Sequence, residues 1–167
     1  MNQSAFDTVA NAKQKAYRYL ALRPRSEKEV AKKLKEKGFS TAIIQETLAK
    51  LGDLKYINDN SFSCQWARHL AVNKLWGNRK IIADLQEKGI DKETLTAALE
   101  TARQEMSEEE AVGLLVKKKA AGRKSGPPDI KEKKKIFQSL LGRGFPPGLI
   151  LQKLGKKVED SLNGDEG

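Results

Sequence analysis

The sequence has little of what catalytic and metal sites are built from. Its 167 residues include one cysteine and one histidine. A single cysteine, Cys64, excludes an intramolecular disulfide framework and is compatible with a reducing cytosol. A single histidine, His69, without a Cys or Asp cluster at ligand spacing, argues against a metal site. Because neither residue has a recognisable activating partner, we expect no cofactor and no enzymatic activity.

Long apolar runs are also missing. No stretch approaches the roughly 20 apolar residues that a membrane-spanning helix needs, and the N-terminus has no apolar core of signal-peptide length. Apolar residues make up 38% of the chain and the mean hydropathy is −0.62. These values are low for a single globule but suit an elongated chain of helical units with thin cores. We therefore expect a soluble cytoplasmic protein that does not contact membranes.

A glycine turn recurs along the chain. The segment Leu34-Lys35-Glu36-Lys37-Gly38-Phe39 returns as Leu85-Gln86-Glu87-Lys88-Gly89-Ile90, and more loosely as Leu140-Leu141-Gly142-Arg143-Gly144-Phe145. The glycines are 51 and then 55 residues apart. A glycine just past a helix end is typical of a left-handed turn, where a side chain is costly. The spacing therefore predicts an internal structural repeat.

Apolar residues at helical spacing surround each glycine. Pairs spaced i, i+4 precede it, and similar pairs follow it, so each unit contains a helix, a Gly-apolar turn and a second helix. The pairs are Val30 and Leu34, Ile44 and Leu48, Ile81 and Leu85, Leu95 and Leu99, Ile136 and Leu140, and Ile150 and Leu154. With a further helix before each pair, and no strand alternation, the pattern predicts an all-α, elongated, curved array of three tandem three-helix repeats that resemble helix-turn-helix units.

Helix-start residues define the expected boundaries. Asp7 is predicted to cap the first helix, and Ser26 with Glu29 to form a capping box at the second. Asn58 or Asp59 is predicted to cap a helix that runs to about Leu75. Residues Leu54, Tyr56 and Ile57, which link the first two repeats, are expected to be buried. The resulting divisions are a disordered lead (1–6), three repeats (7–57, 58–106 and 107–155) and a disordered tail (156–167).

Positive charge dominates the sequence and lies at two ends of the array. Lys and Arg number 32 against 22 acidic residues, which gives a formal net charge of +10. Residues 1–25 carry five basic side chains and one acidic, and residues 107–154 carry eleven and five, while residues 26–106 are nearly balanced. Such a surplus favours polyanionic partners.

Three basic clusters are candidates for contact with phosphates, which confer affinity without reading sequence. A lysine run is often only a solvated face, and Trp76 beside the second cluster is more simply a buried junction residue than a base-stacking one. The candidates are Arg18, Arg23 and Arg25 in the first cluster; Lys74, Arg79 and Lys80 in the second; and Lys117, Lys118, Lys119, Arg123, Lys124, Lys131, Lys133, Lys134, Lys135 and Arg143 in the third.

The ordered series of motifs resembles the RecX family of bacterial recombination regulators. The resemblance runs from about Ala16 to Leu154, and the Gly122–Pro128 connection is where the chain departs from it. The residues that carry it are Tyr19-Leu20, Arg23-Pro24-Arg25-Ser26, Leu34 through Gly38, Tyr56-Ile57-Asn58-Asp59, Phe62, Gly77, Ile81, Leu85, Lys88-Gly89-Ile90 and Arg143-Gly144-Phe145.

The resemblance implies a non-enzymatic protein that modulates the RecA recombinase. Members of the family lie in the groove of the RecA–DNA filament, block filament growth, and suppress ATP hydrolysis and strand exchange. Direct DNA contact would be weak and non-specific, and we expect a monomer. The alternative is a general nucleic-acid-binding repeat protein without a dedicated recombinase partner. Inhibition and tuned activation in the DNA-damage response both stay open at this point.

Overall fold

The computed structural model describes residues 6–121 and 128–155. Within these ranges the chain is all-α, with nine helices and no strand, as predicted. The helices are α1 (Val9–Leu22), α2 (Glu27–Glu36), α3 (Thr41–Asp53), α4 (Asp59–Arg68), α5 (Asn78–Glu87), α6 (Lys92–Glu105), α7 (Glu108–Ala121), α8 (Ile130–Gly142) and α9 (Pro147–Leu154). Helices α1–α3 form the first repeat, α4–α6 the second and α7–α9 the third. The predicted tail, most of the predicted lead and most of the Gly122–Pro128 connection lie outside the described residues.

The second helix of the first repeat and the second helix of the third repeat both begin with a capping box. Ser26 and Glu29 form the predicted capping box at α2. Asp129 and Glu132 form an equivalent box at α8. Each box satisfies two backbone N–H groups that have no partner inside the helix, so both starts are determined by local sequence. At α4 the cap is Asn58, the first of the two residues predicted for that position.

The start of α1 differs from the prediction. Thr8 is the cap residue, and its hydroxyl accepts a hydrogen bond from the Asn11 N–H at 3.3 Å. The Asp7 carboxylate instead accepts from the backbone N–H of Ser40 at 3.0 Å. Asp7 therefore fastens the start of α1 to the start of α3, a contact across 33 residues that local spacing does not reveal.

Helix α4 ends earlier than predicted. Beyond Arg68 the chain widens into a π-helical turn, His69–Asn73, where the Lys74 N–H bonds to the His69 carbonyl at 3.1 Å. Leu75 then takes a φ of +51°, in the left-handed region that non-glycine residues rarely occupy. The Trp76 N–H bonds back to the Leu70 carbonyl at 2.9 Å. The chain thus turns sharply before α5 and exposes Lys74 at the turn.

Each repeat has its own apolar core. The residues of the glycine turn and of the helix before it occupy the same core positions in all three, with at most 7% of their surface exposed. These residues are Val30, Leu34 and Phe39 in the first repeat, Ile81, Leu85 and Ile90 in the second, and Ile136, Leu140 and Phe145 in the third. The predicted pattern of apolar pairs before each glycine is therefore confirmed.

The link between the first two repeats is less buried than predicted. Ile57 is buried, but Leu54 and Tyr56 are 54% and 55% exposed. Lys55 has a φ of +60°, and the N–H groups of Tyr56 and Ile57 both bond to the Leu51 carbonyl, at 2.9 and 3.4 Å. The link is folded over the end of α3, and only Ile57 reaches the core.

The three turn glycines share one conformation. Gly38, Gly89 and Gly144 have φ values of +87°, +80° and +89°. In each turn the N–H of the next residue bonds to the carbonyl five positions back, at 3.1 to 3.4 Å. This pattern satisfies carbonyls at the helix end and turns the following apolar residue into the core.

Two of these turns pack directly on the preceding repeat. A Cβ on Gly89 would lie 2.7 Å from the Lys28 Cδ, and a Cβ on Gly144 would lie 2.5 Å from the Lys80 backbone nitrogen. Nothing lies within 4 Å of the corresponding position at Gly38, in the first of the three described repeats. The turn glycine thus allows each repeat to approach the start of the second helix of the repeat before it. We call the contact at Gly89 the first joint and the contact at Gly144 the second joint.

In both joints the cap residue donates a hydrogen bond to the carbonyl before the turn glycine, from a side-chain hydroxyl at the first joint and from a backbone N–H at the second. At the first joint, the Ser26 hydroxyl donates to the Lys88 carbonyl at 2.7 Å. At the second, the Gly77 N–H donates to the Arg143 carbonyl at 2.8 Å. Ser26 and Gly77 are the cap residues of α2 and α5, and Lys88 and Arg143 immediately precede the turn glycines. A Cβ on Gly77 would overlap the Gly144 carbonyl, so the second joint needs glycine on both sides.

A carboxylate closes the first joint. Glu29 Oε1 lies 2.8 Å from Arg23 Nη2 and 3.3 Å from Lys88 Nζ. Burial would raise the pKa of Glu29, but hydrogen bonds from Arg23 and the Ser26 N–H, and the charges of Lys88 and Arg23, outweigh it and lower the pKa to about 2. Glu29 thus neutralises two cations from neighbouring repeats.

We predict that Gly144→Ala is much more destabilising than Gly38→Ala. Both substitutions place alanine in the left-handed region, which costs about 1–2 kcal/mol. Only at Gly144 does the new methyl group also meet backbone of the preceding repeat, which adds about 1–3 kcal/mol. Urea unfolding followed by circular dichroism measures the difference. Equal losses for the two variants would show that the close approach at the second joint contributes nothing to stability.

We also predict that Glu29 stabilises the fold in a pH-dependent way. Because its folded pKa of about 2 lies below the ordinary 4.5, the stabilisation is complete above about pH 5 and is lost as the pH falls towards 2. Glu29→Gln should cost up to about 3 kcal/mol at pH 7, and the difference from wild type should shrink in acid. Glu36→Gln, which removes one exposed ion pair with Lys33, should cost under about 0.5 kcal/mol at pH 7. A Glu29→Gln deficit that is the same at pH 3 and pH 7 contradicts the prediction.

Candidate functional site

The first predicted cluster does not form a free basic surface. Arg18 is exposed on α1, but Arg23 is paired with Glu29, and Arg25 donates to the Tyr19 carbonyl at 3.2 Å. A groove of about 430 Å³ at the first joint is lined by cations and carboxylates together. Its residues are Arg23, Arg25, Lys28, Glu29, Lys32, Lys33, Glu36, Asp84, Glu87 and Lys88. The mixed charge weakens this groove as a candidate for binding a polyanion.

The side chains of the second cluster do not all lie on one surface. Lys74 and Lys80 face the space between the second and third repeats, whereas the exposed Arg79 is not among the residues that line it. The Lys80 ammonium lies 4.1 Å from the centre of the Trp76 ring, within cation–π distance. Trp76 is partly buried and its carbonyl is held by Arg103 at 2.7 Å. The preferred interpretation of Trp76 as a junction residue therefore fits its position.

The third cluster is spread over several surfaces. Lys117, Lys118 and Lys119 lie exposed on the last turns of α7, while Lys131, Lys133, Lys134 and Lys135 lie at the start of α8. Lys119 and Lys135 line a small groove with Glu132, on a different surface from Lys118 and Arg143. Arg123 and Lys124 lie outside the described residues. Helix geometry thus separates residues that are close in sequence.

The structure brings four of the predicted cations together in one cleft. Lys74 and Lys80 of the second repeat face Lys118 and Arg143 of the third across a space of about 430 Å³. The remaining lining residues are polar or apolar: Asn73, Leu75, Trp76, Leu115, Ser139 and Gly142. Among the described residues that line the cleft there is no carboxylate. We call this space the second-joint cleft.

Backbone contacts hold the second-joint cleft in shape. Arg143 Nη1 donates to the Lys74 carbonyl at 2.8 Å, while the Arg143 carbonyl accepts from Gly77. These two bonds join the end of α8 to the turn before α5. The guanidinium that faces the cleft is thereby fixed at one edge, so its remaining N–H groups can be offered to a ligand at little further entropic cost.

A partly buried arginine, Arg103, supports one wall of the cleft. Arg103 Nη2 donates to the Trp76 carbonyl at 2.7 Å and Nε donates to Asn78 Oδ1 at 2.6 Å. The backbone N–H of Asn78 in turn donates to Glu108 Oε1 at 2.7 Å. Burial lowers the pKa of Arg103, and the charge of Glu108 opposes that shift. The network ties α5, α6 and α7 together and sets the position of Trp76 beside Lys80.

The two residues considered for catalysis are on or next to α4. Cys64 is exposed, and His69 Nδ1 lies 3.2 Å from Asn73 Nδ2, with its ring 5.5 Å from that of Trp66. In the described part of the chain, no group of three or more His, Cys, Asp or Glu side chains is placed to hold a metal ion. None of the helices there combines the length and apolar character that crossing a bilayer requires.

The spacing of Gly77 from Gly89 indicates one part of the cleft that the basic clusters do not. Gly77 precedes Gly89 by the same interval that separates Ser26 from Gly38. This interval marks Gly77 as the start of the second helix of its repeat. It does not indicate that Lys118 faces Lys74, because that contact depends on how the third repeat is seated.

Models of one family match all three repeats. The description "RecX, first three-helix domain" matches residues 12–51, "RecX, second three-helix domain" matches 58–99, and "RecX, third three-helix domain" matches 107–154. These ranges cover most of the chain and coincide with the helices of the three repeats.

Individual relatives and solved structures agree with the family models. A regulatory protein RecX of Listeria monocytogenes serotype 4b is 32% identical over 83% of this chain, which spans about half (51%) of that relative. One from Corynebacterium efficiens is 31% identical over 94% of this chain and 80% of its own length. The crystal structure of RecX from Lactobacillus salivarius superposes with a TM-score of 0.72 at 28% identity, covering 90% of this chain and 96% of that one. A second RecX crystal structure gives 0.74 at 25% identity, covering 90% and 74%.

We predict that the second-joint cleft contributes more to DNA binding than other lysines do. Lys74→Glu/Lys118→Glu should weaken binding to single-stranded DNA at least about tenfold at low salt and reduce the slope of log K against log salt by about 1–2. Lys131→Glu/Lys135→Glu, with the same change in net charge, should have a smaller effect. Lys35→Glu/Lys92→Glu, which alters exposed lysines outside all three clusters, is the control. Equal losses in all three variants, measured by fluorescence anisotropy, would attribute binding to net charge and exclude a special role for the cleft.

Proposed function

Because this chain belongs to the RecX family of regulatory proteins, we propose that it regulates the RecA recombinase by binding RecA and the RecA–DNA filament. It acts by binding and not by catalysis, in the cytoplasm, during recombination and the DNA-damage response. Its main effect is to inhibit filament growth, and with it ATP hydrolysis and strand exchange.

The repeat architecture is suited to binding a long partner. The three repeats have separate cores and are joined by two similar contacts, so their surfaces follow one another along the array. Such arrays present extended surfaces. On a filament whose subunits recur at regular intervals, each repeat can make its own weak contact. Once one repeat is bound, the others bind at high effective concentration, and the weak contacts combine into a stable complex.

The second-joint cleft supports contact with the nucleic acid in that filament. Its four cations without a facing carboxylate form the described feature most suited to a phosphodiester backbone. Phosphate contacts carry no sequence information, which suits a regulator that must act on filaments formed on any DNA. The cleft is the observation that carries the DNA part of the proposal, and family membership carries the RecA part.

The alternative is a general nucleic-acid-binding protein without a recombinase partner. The same cleft favours it, since four cations would bind bare DNA equally well. This alternative predicts an affinity for bare DNA that falls steeply with salt and an effect on RecA that arises only through competition for DNA.

The deciding measurement is ATP hydrolysis by RecA on single-stranded DNA with this protein titrated in. We predict that turnover is lost when the protein is present at a small fraction of the RecA concentration, because a bound regulator stops many subunits from adding to the filament. The Lys35→Glu/Lys92→Glu protein should inhibit as well as wild type. Inhibition that begins only when the protein is abundant enough to coat the DNA would reject the RecA proposal in favour of the alternative.

A further inference from the structure

The two joints place different charges at equivalent positions. Counting from the cap residue of the second helix, Arg23 and Lys74 are both three residues before it, at Ser26 and Gly77 respectively. Three residues after the cap, the first joint has Glu29 and the second has Lys80. The third position is the residue before the turn glycine, which is Lys88 at the first joint and Arg143 at the second. The first joint therefore has two cations and a carboxylate at these three positions, whereas the second joint has three cations.

The first joint shows that an anionic group can occupy the position of Glu29. The Glu29 carboxylate lies between the Arg23 guanidinium and the Lys88 ammonium and contacts both, at 2.8 and 3.3 Å. It bridges the first repeat to the second, since Lys88 belongs to the turn of the second repeat. An anion at this position thus neutralises charge from both sides of a joint.

The second joint has no anion of its own. Lys118 lines the same cleft as Lys74, Lys80 and Arg143. In the part of the chain that the structure describes, none of these four cations forms an ion pair with a carboxylate. The Lys80 ammonium lies over the Trp76 ring, 4.1 Å from its centre. Four like charges drawn from two repeats repel one another, and this repulsion opposes closure of the joint.

We propose that the second-joint cleft binds a phosphate group in the position that the Glu29 carboxylate fills at the first joint, and that the bound phosphate holds the second and third repeats together. A phosphate has the charge and the acceptor oxygens to bind cations of both repeats, such as Lys74 and the free N–H groups of Arg143. The inference that the phosphate comes from a nucleic-acid backbone rests on the proposed function, whereas the site itself does not.

Installing the missing carboxylate tests the proposal. Lys80→Glu places a carboxylate where Glu29 stands at the first joint. It should raise the Tm of the full chain in chloride buffer and weaken its binding of pyrophosphate at least about tenfold. Arg79→Glu is the matched control: it adds the same charge in the same first turn of α5, so it has the same helix-dipole effect, but it does not line the cleft.

Two readouts report the binding of inorganic pyrophosphate at constant ionic strength. Wild type and Arg79→Glu should gain about 3–6 °C in Tm at pyrophosphate concentrations tenfold above the wild-type Kd, whereas Lys80→Glu should gain at most about 1–2 °C. The backbone amides of Gly77 and Gly144 should shift saturably in NMR spectra of wild type, because both lie at the joint. Equal gains in Tm for all three proteins, or a titration that leaves both amides unmoved, would overturn the proposal.

A short single-stranded oligonucleotide distinguishes the source of the phosphate. If the natural ligand is a nucleic-acid backbone, the oligonucleotide should move the same amides at a far lower concentration than pyrophosphate does. Equal potency per phosphate would overturn the backbone assignment and identify the site as one for free phosphate compounds. Because RecA is absent from these experiments, their failure leaves the RecA proposal standing, and a failure of RecA inhibition leaves the phosphate site standing.

Discussion

The contact between a turn glycine and the start of the preceding repeat's second helix is the constraint on which the array depends. At Gly89 and Gly144 the backbone approaches so closely that no side chain fits without displacing its neighbour. One hydrogen bond from the cap residue to the carbonyl before the glycine completes each contact. The same glycine thus serves two purposes: it ends a helix within its own repeat and it sets the distance to the repeat before.

The two joints lie at equivalent places in the repeats, but different side chains surround them and give them different chemistry. The first joint is closed from within, because Glu29 neutralises Arg23 and Lys88. The second joint places Lys80 at the position of Glu29 and adds Lys118, so its charge is unbalanced. In a tandem repeat, a different residue at one equivalent position can therefore replace a structural ion pair with a cluster of cations that no carboxylate lines.

Family membership and the geometry of the joints support one picture of function. A chain that belongs to the RecX family and consists of three similar units suits a partner that also repeats. Separate cores let each unit keep its fold while the angles between units depend on the joints. A joint that an external anion completes would then couple ligand binding to the shape of the array, since the anion makes its full set of contacts only when both repeats are in place.

Local patterns in the sequence determined the helices, the capping box at Ser26, the glycine turns and the core positions such as Leu34 and Leu85, because these depend on residues a few positions apart. They also indicated the basic surplus. Tertiary structure decided which cations lie close together. Arg143 donates to the Lys74 carbonyl, 69 residues away in the chain. Arg23 forms an ion pair with Glu29, which a count of basic residues does not indicate. Tertiary structure also placed Asp7 at α3 instead of α1. The physical reason is that periodicity specifies the face of a helix, whereas the partner of that face depends on how separate repeats are seated against one another.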